Sequence, residues 1–386
     1  MPAFSYRHVK GLYNIFWTKS AEMANLIEQD LKARKSPDDN VVQISNWASR
    51  ATLDIVGLAG MDHDFESLQT PDNELNRQYR RFFNDDPNVT RIILLLGLFV
   101  VDLKLLQKLP VRRNKTAQES SAIIRSVARQ IIREKKEKME SNNSASTNNG
   151  IDIISVALQS GTFTEENLVD QMMTFLTAGH ETTSTALQWA IYALCKNPDV
   201  QTRLRDEIRS NLPSISSSSS STPPLSATTL DSLPYLNAVC NEVLRFHPSV
   251  PATARITSRD TIIAGSPIPK DTFFMIPMYT LNLNEEFWGP DAGTFNPDRW
   301  IDADTGRANN TGGATNNYAM LTFLQGPRSC IGQGFAKAEL ACLVAATVGK
   351  FAMELEDPEK KVEVRKGPTV YLSDGVMARF TVLEGW

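Results

Sequence analysis

Residues 162–196, TFTEENLVDQMMTFLTAGHETTSTALQWAIYALCK, carry no interior proline and stop at Asn197-Pro198. The pattern predicts one helix of some 30 residues, roughly 45 Å long at ~1.5 Å rise per residue. A rod of that length crosses an entire domain, so the rest of the chain has to pack along it. Thr162 and Glu165 have capping-box spacing, and Glu165 and Glu166 fall in the first turn, where negative charge suits the helix dipole. The rod is interrupted chemically at AGHETT, residues 178–183. A glycine inside a helix costs about 1 kcal/mol relative to alanine, and the two threonines add low propensity. A local rule broken in mid-helix often marks a functional site. Ala178-Gly179 offers a flat patch for a planar ligand or a small gas molecule. The Thr182 hydroxyl can bond a carbonyl one turn back or donate to a ligand. Glu181 beside it is a possible proton source. The structural alternative is a close helix crossing at Gly179 with a solvent-facing Glu181.

Around the rod the spacing predicts further helices over 5–35, 41–60, pieces of 73–110, 113–140, 151–161, 199–212 and 233–248. Strands are expected over 253–263 and 271–277, and a hairpin in VYLSDGVMARFTV turning at Ser373–Gly375. The result is a mainly α chain with small β-sheets. Polar or serine-rich tracts at 141–149, 214–229 and 301–317 read as flexible loops. With 386 residues the chain can hold one large core or two ordinary ones. A single domain over 1–386 is favoured because the motifs flanking the serine-rich loop belong to one site.

The formal charge of −4 argues against a general nucleic-acid binder. Four cysteines without a CxxC pair are no disulfide framework, and they fit a reducing setting. The longest apolar run, residues 92–101, is half the ~20 residues a membrane helix needs; it reads as a buried stretch, or as a knob dipping into a membrane surface. MPAFSYRHVK has no apolar core of a signal peptide.

The second chemical motif is FLQGPRSCIGQGFA, residues 323–336, where Cys330 precedes an apolar helical pattern. A helix start lowers a thiol pKa through its dipole and free N–H groups. Gly326, Gly332 and Gly334 let backbone approach something flat. Arg328 brings a fixed two-pronged charge suited to a carboxylate, and Phe323 can roof the sulfur. Together these describe a thiolate ligand to a large planar cofactor bearing carboxylates, which is haem. An inert cysteine in a glycine-rich turn is the alternative. Glu242 and Arg245, three apart, are either a surface pair or part of a buried brace completed by Arg299 of FNPDRW.

FLQGPRSCIG resembles the haem-binding signature of the cytochrome P-450 family through Phe323, Gly326, Arg328, Cys330 and Gly332. AGHETT resembles that family's oxygen-activating motif, and Glu242, Arg245 and Arg299 its buried brace. The resemblance covers essentially the whole chain and is similar in style to filamentous-fungal members, many of which oxidise secondary metabolites or xenobiotics. It implies the cytochrome P-450 fold, with haem b (iron protoporphyrin IX) on Cys330. Arg328 and, ten residues past Arg245, Arg255 would hold propionates. Thr182 and Glu181 would steer protons. Ala178, Gly179 and Phe175 would face haem or substrate, and Val250, Pro251, Thr253, Thr369 and Val370 would line the pocket. It further implies a monooxygenase inserting one atom of O₂ into a small lipophilic organic substrate, by hydroxylation or epoxidation. Electrons would come from NADPH through a separate cytochrome P-450 reductase, at the cytosolic face of the endoplasmic reticulum membrane. Compared with the family's pattern, the chain is expected to lack an N-terminal region with the anchor and first strands. An inactive haem-binding remnant, or a haem-thiolate peroxygenase, reductase or isomerase, stand as alternatives.

Overall fold

The computed structural model describes residues 4–36, 39–75, 77–78, 112–141, 152–215, 224–360, 362–366 and 369–386. The apolar run at 92–101 and most of the tracts expected as loops at 141–149 and 214–229 lie outside these. The chain opens with α1 (Tyr6–Ala33), capped by the Ser5 hydroxyl, which accepts from the His8 N–H at 3.3 Å. Strand β1 (Val41–Gln43) leads directly into α2 (Ile44–Met61), where the sequence predicted helix from residue 41. Next come α3 (Arg112–Ser141) and the short α4 (Ile153–Gln159).

The long rod is α5 (Glu165–Lys196), of 32 residues. Its cap is Thr164 and not Thr162: the Thr164 hydroxyl accepts from the Asn167 N–H at 3.2 Å, while the Thr162 hydroxyl donates to Ser160 O. Both threonines offer the same chemistry, and the turn after Gly161 decides between them. Pro198 starts α6 (Pro198–Asn211); α7 (Ala227–Asp231) and α8 (Pro234–Phe246) follow. Pro198 and Pro234 both stand in a first helical turn, where no N–H bond is lost.

Four short strands come next: β2 (Thr253–Ile256), β3 (Thr261–Ile263), β4 (Ser266–Ile268) and β5 (Phe273–Ile276). β2 pairs antiparallel with β5, and β3 with β4, and together they leave Ile256, Ile262 and Met275 exposed. Small helices α9 (Met278–Asn282) and α10 (Glu285–Trp288) lead to a 3-10 turn at Pro297–Trp300. Residues 301–317 are irregular, but Asn309 ties them down: its amide donates to Arg299 O and accepts from the Gly312 N–H.

After a second 3-10 turn (Gly326–Arg328) comes α11 (Gln333–Lys350), apolar nearly all round and buried from Ala338 to Lys350. A helix without a polar face belongs inside a core. α1 packs along α11 and α2 along α5. Phe16 of α1 meets Phe335 of α11 edge-on at 4.8 Å. The tail forms β6 (Phe351–Leu355), β7 (Val364–Lys366), β8 (Val370–Leu372) and β9 (Met377–Val382). Here the predicted hairpin is not formed. β8 pairs with β7, while β9 lies between β1 and β6, although Ser373–Gly375 does turn the chain. Turn residues mark where a chain reverses, not which partner its strands take.

Candidate active site

Several helices, one strand and the loops between them close on one cleft. α5 contributes Thr182, Thr183 and Ala186; the segment ahead of α11 contributes Phe323, Leu324, Arg328 and Cys330; α11 itself adds Ala336 and Leu340. Leu244, Ser249, Val250, Thr253, Met278 and Thr322 complete a mostly apolar wall around about 800 Å³ of space, part of it open to solvent.

The turn carrying Cys330 is built by the backbone. Leu324 and Gly326 take left-handed conformations, φ +58° and +76°. The chain thereby doubles back, and the Cys330 N–H donates to Phe323 O at 2.8 Å. A leucine with positive φ is costly outside a turn held from both sides. The Gly332 N–H bonds the Cys330 sulfur, and a Cβ on Gly332 would stand 3.9 Å from that sulfur. The expectation that the helix start lowers this thiol's pKa is not met. α11 begins at Gln333, three residues on; partial burial pushes the Cys330 thiol up, against the smaller pull of the Gly332 N–H.

On the opposite wall the Thr182 hydroxyl donates to Ala178 O at 2.8 Å, the back-bond the sequence suggested. The Thr182 carbonyl accepts from the Ser249 hydroxyl at 2.8 Å. Ser249 O in turn accepts from the Val370 N–H, and Val370 O from the Trp189 indole, both at 2.8 Å. This run of bonds ties α5, the loop after α8 and β8 together behind the threonine. Glu181 does not line the cleft. Its carboxylate accepts from the Thr369 hydroxyl at 3.1 Å, and burial raises its pKa against that bond.

Other expected residues scatter. Gly179 faces α2, where a Cβ would come within 2.9 Å of Val56 Cγ2; this is the close helix crossing and not a flat patch for a ligand. The third residue of AGHETT, His180, is buried with Nε2 at 3.0 Å from Ser49 Oγ of α2. Ala178 stays exposed on its helix, and Phe175 packs on Phe4 with ring centroids 5.6 Å apart. The exposed Arg255 donates to Thr253 Oγ1 and Ala254 O of its own strand. Of the pocket set, Val250 and Thr253 line the cleft, while Pro251, Thr369 and Val370 are not part of its wall.

The brace is assembled in full. The fully buried Glu242 carboxylate accepts from Arg245 Nε (2.8 Å) and Nη2 (2.7 Å), Arg299 Nε (3.1 Å), Trp300 Nε1 (2.9 Å) and the Asn296 N–H (2.8 Å). Arg245 spends its remaining donors on Asn282 O, Ala292 O and Thr294 O. Trp300 and the three carbonyls were not visible as partners in the sequence, because they come from a region without periodicity.

The cleft fits the expected planar group. Its one thiol is that of Cys330, and among the described residues no three His, Cys, Asp or Glu side chains gather to hold a metal ion. A metal bound here has to bring most of its ligands with it, as an iron porphyrin does. The apolar walls suit a macrocycle, and the Arg328 guanidinium offers a match for a carboxylate.

Comparison with known proteins agrees. The family described as Cytochrome P450 matches residues 1–374. The chain is 56% identical over 385 residues to "Cytochrome P450 monooxygenase sphH" of Aspergillus fumigatus, covering all of this chain and 69% of that protein. It is 40% identical to "Cytochrome P450 monooxygenase FUM15" of Gibberella moniliformis, over 98% of this chain and 70% of that one. For "Cytochrome P450 monooxygenase ALT8" of Alternaria alternata the identity is 38%, over the whole chain and 72% of the relative. A family match across nearly the entire chain, with relatives this similar, means that the chain belongs to the cytochrome P450 family and is one of its monooxygenases.

Proposed function

We propose that the cleft would hold haem b through the Cys330 thiolate, with Arg328 paired to a propionate, and that a small lipophilic molecule would be oxidised against the Thr182 wall. The observation that carries this is the convergence of Cys330 and Thr182 on one apolar cleft from opposite elements. Bound there, the haem supplies the redox chemistry that places one atom of O₂ in an organic substrate. Everything else falls to the chain's own residues.

Cys330 is presented by a backbone turn, and the Gly332 N–H stabilises negative charge on its sulfur. Coordination to a metal deprotonates a thiol outright, which overcomes the upward push of burial. Thr182 is held from two sides, by Ala178 O and the Ser249 hydroxyl, so its own hydroxyl stays at the cleft wall and can pass a proton. Glu181 binds its proton more tightly than an ordinary carboxylate and is oriented by Thr369, a proton store one residue from Thr182. Leu244, Met278 and Leu340 keep the cleft apolar and favour a lipophilic substrate.

Electrons come from NADPH through a separate reductase at the Cys330 side. That partnership carries a setting at the cytosolic face of the endoplasmic reticulum membrane. Among the described residues no helix is long and apolar enough to cross a membrane.

The test is haem reconstitution, reduction and exposure to CO. Thiolate ligation gives a strongly red-shifted Soret band, and Cys330→Ala loses it. A band that survives that change assigns the iron to another ligand. Oxidation that proceeds with peroxide but never with reductase and NADPH makes the protein a peroxygenase instead.

A further inference from the structure

Trp189 lies in α5, seven residues beyond Thr182, and is buried. Its indole stacks on the His247 ring, with centroids 4.2 Å apart and planes 8° from parallel. It meets Tyr192, one turn on, edge-on at 5.7 Å. Neither Trp189 nor Tyr192 belongs to the wall of the active-site cleft, yet hydrogen bonds connect the indole to that wall. The Trp189 N–H donates to Val370 O, the Val370 N–H donates to Ser249 O, each at 2.8 Å, and Ser249 lines the cleft. On the far side, Tyr192 is half-buried and lines a second cleft of about 520 Å³, partly open to solvent, with Glu356, Asp357, Glu363 and Asp374 on its wall.

A buried indole N–H finds a partner for packing reasons alone. Packing does not ask that the partner lead to the cleft, nor that the next ring open onto water. Apart from thiols, indole and phenol are the side chains that give up one electron most readily. We propose that Trp189 and Tyr192, joined to the cleft through Val370 and Ser249, form an electron relay that discharges the oxidant made from O₂ when no substrate is present. This rests on the haem assignment given above. An electron leaves the Trp189 indole for the cleft. Its N–H faces a carbonyl, an acceptor of hydrogen bonds but a poor base, so the oxidised indole keeps its proton and stays a strong oxidant. The stacked His247 is neutral, since burial and the Arg245 charge hold its pKa low, and it adds no positive charge against the hole. An electron from Tyr192 then refills Trp189, and the phenol proton passes to water in the outer cleft. A soluble thiol returns one hydrogen atom to Tyr192. Two such passages bring two electrons to the active-site cleft. With two protons from solvent, the oxygen atom held there leaves as water, and two thiols become one disulfide.

The test mixes haem-loaded protein with peracetic acid, which delivers the oxygen atom directly, without substrate, and freezes it for electron paramagnetic resonance. The CO band is recorded on the same preparation. The expected signal is a tyrosyl radical, quenched by added glutathione. Tyr192→Phe should replace it by an indole radical, Trp189→Phe should remove both, and the haem of either variant should bleach several-fold faster. A red-shifted CO band with no protein radical, or with a radical that neither substitution changes, overturns the relay and leaves the monooxygenase assignment standing. Absence of that band in the unsubstituted protein overturns the assignment and the relay together. Both substitutions keep an aromatic ring in place, and the CO band reports whether each variant folds. If Trp189→Phe loses the band, Tyr192→Phe decides alone: a tyrosyl signal that survives it overturns the relay.

Discussion

Thr182 is the residue where sequence and geometry meet most directly. Its hydroxyl stands on the cleft wall that faces Cys330 and donates to Ala178 O, while the Ser249 hydroxyl holds the Thr182 carbonyl. Thr182→Ala should keep the CO band but divert reducing equivalents to peroxide. Thr182→Ser should restore most of the coupling, since it keeps the hydroxyl. The ratio of peroxide formed to NADPH consumed measures both, and an unchanged ratio in Thr182→Ala removes its proton-passing role. Cys330 and Arg328 were legible because few other tasks need an arginine and a cysteine two apart among glycines. Glu339 was not legible. A glutamate in a helix reads as a solvent-facing charge, and only the packing of α5 on α11 takes it out of water. Arg255 was picked out by spacing, and its guanidinium donates to Thr253 and Ala254 of its own strand.

At the scale of elements, α5 is shaped by its neighbours more than by its own propensity. Gly179 lets α2 approach, with Val56 occupying the space a Cβ would need. Alanine there sets overpacking of about 1–3 kcal/mol against a propensity gain of about 1 kcal/mol, so its net effect is small. Valine brings more bulk and almost no propensity gain. Gly179→Val should lower the unfolding free energy by about 1–3 kcal/mol, read as a fall in denaturant midpoint at constant slope. An unchanged midpoint means that α2 and α5 are not in close contact there. The brace makes a related point. Glu242, Arg245 and Arg299 could be picked out by type, but the network closes only because Asn296, Trp300 and three carbonyls from non-periodic chain satisfy the remaining donors and acceptors. A buried ion pair is tolerable only when satisfied this completely.

For the whole molecule, the buried His180 and the half-buried His247 tie stability to pH. Burial lowers His180 to about 4, and burial with the nearby Arg245 charge lowers His247 to about 3. His247 stacks on Trp189 at 4.2 Å between ring centroids. An unfolded histidine takes its proton near pH 6.5, so between there and the folded values the unfolded chain holds more protons. Stability should therefore fall as pH drops from about 6.5 towards 4, by about 3 kcal/mol for His180 alone. Denaturant midpoints across this window check the slope, and His180→Gln should flatten it; an equal slope in that variant puts the titration elsewhere. By itself the sequence determined the mainly helical class, the long rod and the order of the motifs, and it singled out Cys330 among the four cysteines. All of these follow from local periodicity and from residue types with few alternative uses. The tertiary structure alone decided that β9 pairs with β1 and β6, that Gly179 serves a helix crossing, that Glu181 turns to Thr369 and that Glu339 is buried. Strand partners, close contacts and loss of water are properties of two surfaces brought together, and a chain read along its length shows only one surface at a time.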